Sequence, residues 1–190
     1  MIKVKSRDSF LELLSDFYIP KESRVVEIGV LHGDFSEKII KIINPKCLFL
    51  IDPYKVEPSV TYGSELNNLP VSYSTGEDYL GLIKRFENDI RIGKVFVLKN
   101  YSHKIVKGLQ DNIFDFIYID ASHKYDDVKK DLNDWLPKLK ENGVIAGHDY
   151  IELGSFGVIK AIDEFTKEHG FEMILYNDNG GDWALKKIKK

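Results

Sequence analysis

The chain has little cysteine, and this scarcity limits its chemistry. Cys47 is the single cysteine among 190 residues, so an internal disulfide and a cysteine-based zinc cluster are both excluded. Its neighbours are typical of a buried strand, and we expect the thiol to be structural. Long apolar runs are also missing: no run approaches the roughly 20 residues that span a bilayer. Since the N-terminus lacks a signal-peptide h-region, we predict a cytoplasmic protein with no membrane partner.

The sequence also lacks an excess of positive charge. It has 27 Lys and Arg against 30 Asp and Glu, a net charge of -3, and its basic residues are scattered. Surfaces that bind nucleic acid concentrate positive charge, so we predict no nucleic-acid partner. The length fits one hydrophobic core, and we expect a single domain over residues 1–190. Homo-oligomerisation is left open.

Short runs rich in Val, Ile, Leu and Phe recur along the chain, as expected of parallel strands covered on both faces. They occupy residues 24–30, 47–52, 94–99, 114–120 and 143–147. The intervals between them show helical spacing; one helical face comprises Val128, Leu132, Trp135, Leu136 and Leu139, with Gly143 just past its end. Strands that alternate with helices predict a doubly wound, Rossmann-like α/β sheet with helices on both faces.

Both ends of the chain and one internal segment depart from this alternation. Residues 1–21 are predicted to form an N-terminal helix. After a helical stretch at 157–167, the runs 171–176 and 182–188 flank NDNGG, a hairpin signal. We therefore predict a mostly parallel sheet with an antiparallel final strand. Residues 54–75 are polar, contain two prolines and show no period, which favours a lid-like insertion.

Polar residues follow the carboxyl ends of the predicted strands, where ligands bind in open α/β sheets. In chain order they are Gly29 with Gly33, Asp52, Asn100 with Ser102, Asp120 with His123, and His148 with Asp149. We expect this edge to face a cleft, because water or a ligand solvates ionisable groups that a core does not accept.

The first strand end reads VVEIGVLHGDFS. Gly29 lets the backbone turn sharply near a ligand, and Gly33 opens a helix whose N–H groups point into the cleft. Leu31 stands where the dinucleotide fingerprint G-x-G-x-x-G has its second glycine, which disfavours an NAD-dependent oxidoreductase. Glu27, inside the strand, is a candidate acceptor for a ligand ammonium or for N–H groups of its own loop.

Two further strand ends each allow two interpretations. Asp52 is placed to chelate the hydroxyls of a ribose, or to start an Asp–Pro turn with Pro53. Both roles are compatible. Ser102 either touches an adenine edge or caps the helix that it begins.

The strings VVEIGVLHGDFS, LFLIDPY and IDASHKYDDVKKDLNDWLPKLKENGVIAGHDY resemble class I S-adenosylmethionine-dependent methyltransferases. They are most similar to the small O-methyltransferase-like group that includes the catechol and macrolide-sugar O-methyltransferases. The resemblance covers residues 22–188 and implies S-adenosylmethionine as cofactor. It implies these contacts: Glu27, Gly29 and Gly33 around the methionine half, Asp52 on the ribose, Tyr54 and Ser102 beside the adenine, and Asp120 near the amino group.

His123 lies three residues past Asp120 and is the candidate general base. Methyl transfer to a hydroxyl is helped by removing the hydroxyl proton, and the ordinary pKa of histidine, about 6.5, suits that task. In similar sugar O-methyltransferases a histidine at this motif position is the base. The alternative is a surface histidine that caps the helix starting near Asp126.

Asp120, His148 and Asp149 are a candidate metal site, because the fourth and fifth strands are expected to be neighbours. By the resemblance, metal-using relatives present oxygen ligands here, and His148 departs from that pattern. Magnesium prefers oxygen, so the departure favours manganese or iron, or a site without metal. In the latter case His148 is an acid–base group and Asp149 shapes its loop.

The sequence thus predicts an S-adenosylmethionine-dependent methyltransferase that acts on a small-molecule hydroxyl, a sugar or a phenol, with metal assistance left open. A binding module that keeps the cofactor cleft without turnover is the alternative. Nucleic-acid methylation fits badly with an acidic chain that lacks an N/D-P-P-Y type loop. The candidate walls of the acceptor pocket are Tyr62, Tyr73, Tyr150 and Trp183.

Overall fold

The computed structural model describes residues 1–55, 75–177 and 181–188. The lid-like insertion predicted at 54–75 lies almost wholly outside the described residues, together with Tyr62 and Tyr73, and it stays a prediction. Within the described residues, no helix is both long enough and apolar enough to cross a membrane.

The described residues form one eight-stranded sheet with the order β4-β3-β2-β5-β6-β8-β7-β1. Its strands are β1 (Ile2–Val4), β2 (Arg24–Ile28), β3 (Cys47–Asp52), β4 (Val95–Lys99), β5 (Phe114–Ile119), β6 (Leu139–Gly147), β7 (Phe171–Asn177) and β8 (Trp183–Lys187). β8 pairs antiparallel with both β6 and β7, while every other pairing is parallel. The predicted parallel sheet with an antiparallel final strand is confirmed.

Helices cover both faces of this sheet. They are α1 (Arg7–Phe17), α2 (Asp34–Lys38), α3 (Gly76–Arg85), α4 (Glu87–Arg91), α5 (Ser102–Ile105), α6 (Tyr125–Trp135) and α7 (Val158–His169). Successive residues of a central strand enter opposite cores: Val25 packs on the face covered by α1, and Val26 on the face covered by α6 and α7. This alternation explains why the central strands are apolar at most of their positions.

The structure differs from the sequence prediction at two element boundaries. The N-terminal segment predicted as helix begins with β1, which pairs with β7, and α1 starts only after Ser6, whose hydroxyl accepts the Ser9 N–H. The helix α6 ends at Trp135, because Pro137 leads a short 3-10 turn into β6. Leu139 therefore begins a strand, although the helical spacing predicted it as the last apolar residue of the helix.

Candidate functional site

Strand register brings the predicted site residues to one edge of the sheet. Ile28 at the end of β2 pairs with Ile51 on β3 and Ile119 on β5, and Ile119 pairs with Gly147 on β6. Strand order reverses between β2 and β5, which is where open α/β sheets bind ligands. The segments that follow these four strands consequently meet above the centre of the sheet.

Gly29 makes the closest approach between two of these segments. Its φ is +86°, and a Cβ atom there would stand 2.0 Å from the carbonyl oxygen of Asp120. Its N–H donates to the Ile51 carbonyl at 2.9 Å, which ties the turn to β3 as well. Gly33, also at positive φ, immediately precedes α2. We call residues 29–33 the glycine loop; only glycine fits its first position.

Glu27 lies directly beneath the glycine loop and is 1% exposed. The Ser36 hydroxyl donates to its carboxylate at 2.5 Å. Burial raises the pKa of Glu27 to about 8; Ser36 opposes that rise, and the Asp120 charge adds to it. The raised pKa favours the protonated form of Glu27, and a cation brought near it would favour the carboxylate.

Asp52 braces the glycine loop from the end of β3. One carboxylate oxygen accepts the N–H groups of Val30 at 2.9 Å and Leu31 at 3.1 Å, and the other accepts the Tyr54 N–H at 2.9 Å. The bond to Tyr54 is the turn expected of the Asp–Pro pair. The ribose role of Asp52 stays a prediction.

The two residues predicted to border the adenine are tied to the protein. Tyr54 is 3% exposed, and its hydroxyl donates to the Leu31 carbonyl at 3.3 Å. Ser102 begins α5, and its hydroxyl donates to Asp131 of α6 at 2.5 Å instead of capping its own helix. Burial raises the pKa of Asp131 to about 6, and the Ser102 bond opposes this rise.

Four side chains meet at the ends of β5 and β6, and we call Asp120, His123, His148 and Asp149 the rim cluster. Asp149 accepts from both rings, with His123 Nε2 at 2.8 Å and His148 Nδ1 at 3.2 Å from Oδ2. His148 Nδ1 lies 3.9 Å from Asp120 Oδ1. These side chains are 15% to 24% exposed. The four residues named from sequence are thus neighbours in space.

The rim cluster holds opposite charges in one small volume. Burial tends to raise the pKa of Asp149, but hydrogen bonds from His123 and His148 outweigh it and the net shift is downward. Burial tends to lower the pKa of His148, but the bond to Asp149 and the charge of Asp120 leave it raised. The pKa of Asp120 is raised, chiefly by burial. Asp149 is the carboxylate most firmly held in its ionised form.

Among the described residues, ligand atoms of Asp120, His123 and Asp149 lie within 4.8 Å of one another, close enough to share a metal ion. The sequence prediction named His148 in place of His123 for this set. Both rings contact Asp149, so His148 remains beside the candidate ligands. Metal binding itself stays a prediction.

Two of the aromatic side chains predicted to line the acceptor pocket, Tyr150 and Trp183, form hydrogen bonds within the protein. Trp183 is 1% exposed, and its indole N–H donates to the His148 carbonyl at 3.0 Å. The Tyr150 hydroxyl donates to Asp163 at 2.8 Å. Phe156, which the sequence did not single out, stacks on the His123 ring with centroids 4.3 Å apart.

Sequence reasoning missed a charged network directly below the rim. Asp182 is fully buried and accepts from Arg7 Nε at 2.9 Å, from the Tyr118 hydroxyl at 2.9 Å and from the Asn177 amide at 2.7 Å. His148 Nε2 lies 3.9 Å from Asp182. The sequence carries only a weak signal for this network. Asp182 lies at the start of an apolar strand, and Arg7 lies near the opposite end of the chain.

A family model described as a methyltransferase domain matches residues 26–150, well over half of the chain. The chain belongs to this family. The matched segment runs from the glycine loop to the end of the rim cluster. The predicted enzyme class, a methyltransferase, is supported over an oxidoreductase, whereas O-methylation and the acceptor are finer points that family membership does not decide.

One longer relative aligns with most of the chain. The uncharacterized protein y4gI of Sinorhizobium fredii (strain NBRC 101917 / NGR234) is 31% identical over 168 residues, which cover 80% of this chain and 17% of that protein. The chain therefore spans less than a fifth of the relative that it matches.

Solved methyltransferase structures share the fold. SMU.1697c from Streptococcus mutans, solved in complex with SAH, has a TM-score of 0.67 and 15% identity, covering 99% of this chain and 100% of that one. The SAM-dependent O-methyltransferase TM0748 from Thermotoga maritima has a TM-score of 0.62 and 10% identity, covering 100% and 68%. An rRNA methylase from Streptococcus thermophilus has a TM-score of 0.60 and 14% identity, covering 96% and 94%.

The prediction of no nucleic-acid partner is wrong as an exclusion. Structural neighbours include rRNA and tRNA methylases, so this fold serves nucleic-acid substrates as well. The physical reason is that net charge averages over the whole surface, whereas binding depends on the local field at the contact.

Proposed function

We propose that this chain is an S-adenosylmethionine-dependent methyltransferase that methylates a hydroxyl group of a small molecule, a sugar or a phenol. The observation that carries the proposal is the shared edge of the sheet: the glycine loop and its acids lie on one side, and the His123–Asp149 pair, 2.8 Å apart, lies on the other. The first set suits the cofactor, and the second suits the acceptor.

The cofactor is assigned to the loop after β2, which lies against the backbone at the end of β5. Gly29 allows this close approach, because a Cβ there would stand 2.0 Å from the Asp120 carbonyl oxygen. We assign Glu27, Gly29 and Gly33 to the methionine half of the cofactor and Asp120 to its amino group. Asp52 is assigned to the ribose, and Tyr54 and Ser102 to the border of the adenine. When bound, the cofactor supplies a methyl group on a positively charged sulfur, which suits an edge rich in carboxylates.

His123 is assigned as the general base. Its ring accepts the proton of the acceptor hydroxyl, while Asp149 orients the ring and stabilises the imidazolium that forms. Because the pKa of Asp149 is held low, that carboxylate stays ionised while His123 changes charge. Phe156 stacks on the His123 ring and restricts its rotation.

A divalent cation offers a second route to the same chemistry. The donor set of Asp120, His123 and Asp149, one imidazole and two carboxylates, suits manganese or iron better than magnesium, which prefers oxygen. A cation there would lower the pKa of a hydroxyl bound to it. The base and the cation both use the His123 imidazole, so they are alternatives.

Ligand binding tests the cofactor assignment. We expect calorimetry to show S-adenosylhomocysteine binding and no binding of NAD. Asp52→Asn keeps one oxygen for the glycine loop, and it should weaken S-adenosylhomocysteine about tenfold or more through loss of charged bonds to the ribose. Binding of NAD alone, or equal affinity of the variant and the wild type, would contradict the assignment.

Turnover tests the acceptor and the base. With radiolabelled S-adenosylmethionine and a panel of catechols, sugars and ribosomal RNA, we expect label in a hydroxylated small molecule. His123→Gln should lower the rate about 10²- to 10⁴-fold, whereas His169→Gln on remote α7 should not. EDTA separates the two routes: retained activity leaves His123 as the base, and activity that returns with manganese assigns the metal. Label confined to RNA would refute the small-molecule proposal, and no label with any acceptor would favour a binding module.

A further inference from the structure

The Arg7 guanidinium lies beside Asp120, at the edge of the sheet where we propose that the cofactor binds. Arg7 itself comes from a distant part of the sequence. Arg7 begins α1, and its Nε donates to buried Asp182. The Arg7 Nη2 atom lies 3.6 Å from Asp120 Oδ2, and the guanidinium carbon stands 4.8 Å from the Phe35 ring centroid. Phe35 belongs to α2, directly after the glycine loop. Arg7 is thereby fixed between α2, β5 and the segment that precedes β8.

The hydrogen bonds of Arg7 are incomplete. Its Nη2 atom is buried and has no hydrogen-bond partner among the described residues. A buried donor without an acceptor costs free energy, and in a native protein such a group indicates a missing ligand or water. The Arg7 side chain as a whole is 27% exposed, while its Nη2 atom is covered.

The charges around Arg7 indicate what that ligand carries. Arg7 is a permanent cation beside Asp120, which the proposed function assigns to the amino group of the cofactor. An amino acid bears its ammonium and its carboxylate on the same carbon, so it requires an anion and a cation side by side. Guanidinium is the group best suited to bind a carboxylate.

We propose that Arg7 binds the α-carboxylate of the methionine half of the cofactor, paired with Asp120 on the amino group. This inference rests on the proposed function. It makes the site selective for an intact amino acid: a ligand without the carboxylate leaves the Nη2 atom of Arg7 without a hydrogen-bond acceptor. The bond to Asp182 holds the guanidinium in place, so Asp182 acts as a positioning residue.

The test uses three adenosine ligands and calorimetry on the full chain. The ligands are S-adenosylhomocysteine, its decarboxylated analogue, and methylthioadenosine, which lacks the amino acid. We expect the wild type to prefer S-adenosylhomocysteine to the decarboxylated analogue about 10- to 100-fold. Arg7→Gln should reduce this preference to less than about threefold and leave methylthioadenosine binding unchanged. Arg7→Lys should retain part of the preference, and Arg91→Gln, on exposed α4, should retain all of it.

Several outcomes overturn the inference, and each is distinguishable. An unchanged preference in Arg7→Gln, or an equal loss for all three ligands, would show a structural role alone. A wild type that does not distinguish the first two ligands refutes the inference even if both Arg7 variants fail to fold. A wild type that binds none of the three refutes the proposed function itself.

Discussion

The glycine-loop side of the site and the rim cluster meet at one edge of the sheet, yet their carboxylates differ in exposure and in hydrogen-bond partners. Glu27 and Asp52 are 1% and 5% exposed, and their partners are a hydroxyl and backbone N–H groups. The rim carboxylates are more exposed, and their partners are the rings of His123 and His148. Backbone donors cannot titrate, whereas imidazoles can.

This difference separates two tasks. A cofactor is the same in every turnover, so a fixed set of donors and acceptors suits it and adds stability to the fold. Proton transfer requires groups that accept and release a proton, and the partly exposed imidazoles of the rim cluster are such groups. We expect substitutions on the glycine-loop side to affect stability, and substitutions in the rim cluster to affect turnover.

The largest expected effect is at Gly29, where the two regions touch. Gly29→Ala places a Cβ 2.0 Å from the Asp120 carbonyl oxygen, so strand ends must separate. Gly93→Ala is a matched control: its φ is +74°, but nothing lies within 4 Å of its Cβ. Urea denaturation should show a loss of at least about 4 kcal/mol for Gly29→Ala and about 1–2 kcal/mol for Gly93→Ala. Equal losses would mean that the clash is relieved by small shifts.

The fold was predictable because its signals are local and repeated. Apolar runs of strand length and helical spacing at Val128, Leu132 and Trp135 each specify an element without reference to the rest of the chain. The three-residue strand β1 carries too short a pattern to be recognised, and only its pairing with β7 defines it. Pro137 lies just past the end of α6, whereas the helical spacing of Leu139 predicted that the helix continues.

Candidate site residues that directly follow a strand could be predicted from the sequence. Residues that reach the site from distant segments could not. Asp120, His123, His148 and Asp149 follow strands directly, so topology alone brings them together. Arg7 reaches the site by folding of an N-terminal helix 175 residues from its partner Asp182. No local sequence pattern encodes a contact between residues so far apart. The role that we propose for Arg7 therefore follows only from the folded structure.

Glu27 offers the next largest effect, through the pH dependence of stability. Its folded pKa of about 8 exceeds the ordinary value of 4.5. Between these values the folded state holds a proton that the unfolded state has lost, so stability falls as pH rises, by at most about 1.4 kcal/mol per pH unit, and levels off above the folded pKa.

Urea denaturation at pH 5.5, 6.5 and 7.5 measures this slope. Glu27→Gln keeps an acceptor for Ser36 but cannot ionise, so its slope should be shallower than that of the wild type. Glu172→Gln, at an exposed position on β7, should keep the wild-type slope. If the slope of Glu27→Gln matches that of the wild type, Glu27 is not the buried acid that titrates here.

An Asp-to-Asn substitution on each side of the site should have the smallest effects on stability. It should also show most clearly how the glycine-loop side differs from the rim cluster. Asp52→Asn puts an amide where three backbone N–H groups need acceptors, so at least one donor loses its partner and about 1–3 kcal/mol is lost. Asp149→Asn keeps a residue type that tolerates the observed φ of +60°. It removes ion pairs with His123 and His148, whose rings are each 24% exposed and can instead be solvated by water, so the loss should be smaller than that of Asp52→Asn. Urea denaturation at pH 7 compares the two variants. An Asp149→Asn loss as large as that of Asp52→Asn would show that the rim, like the glycine loop, is part of the structural framework.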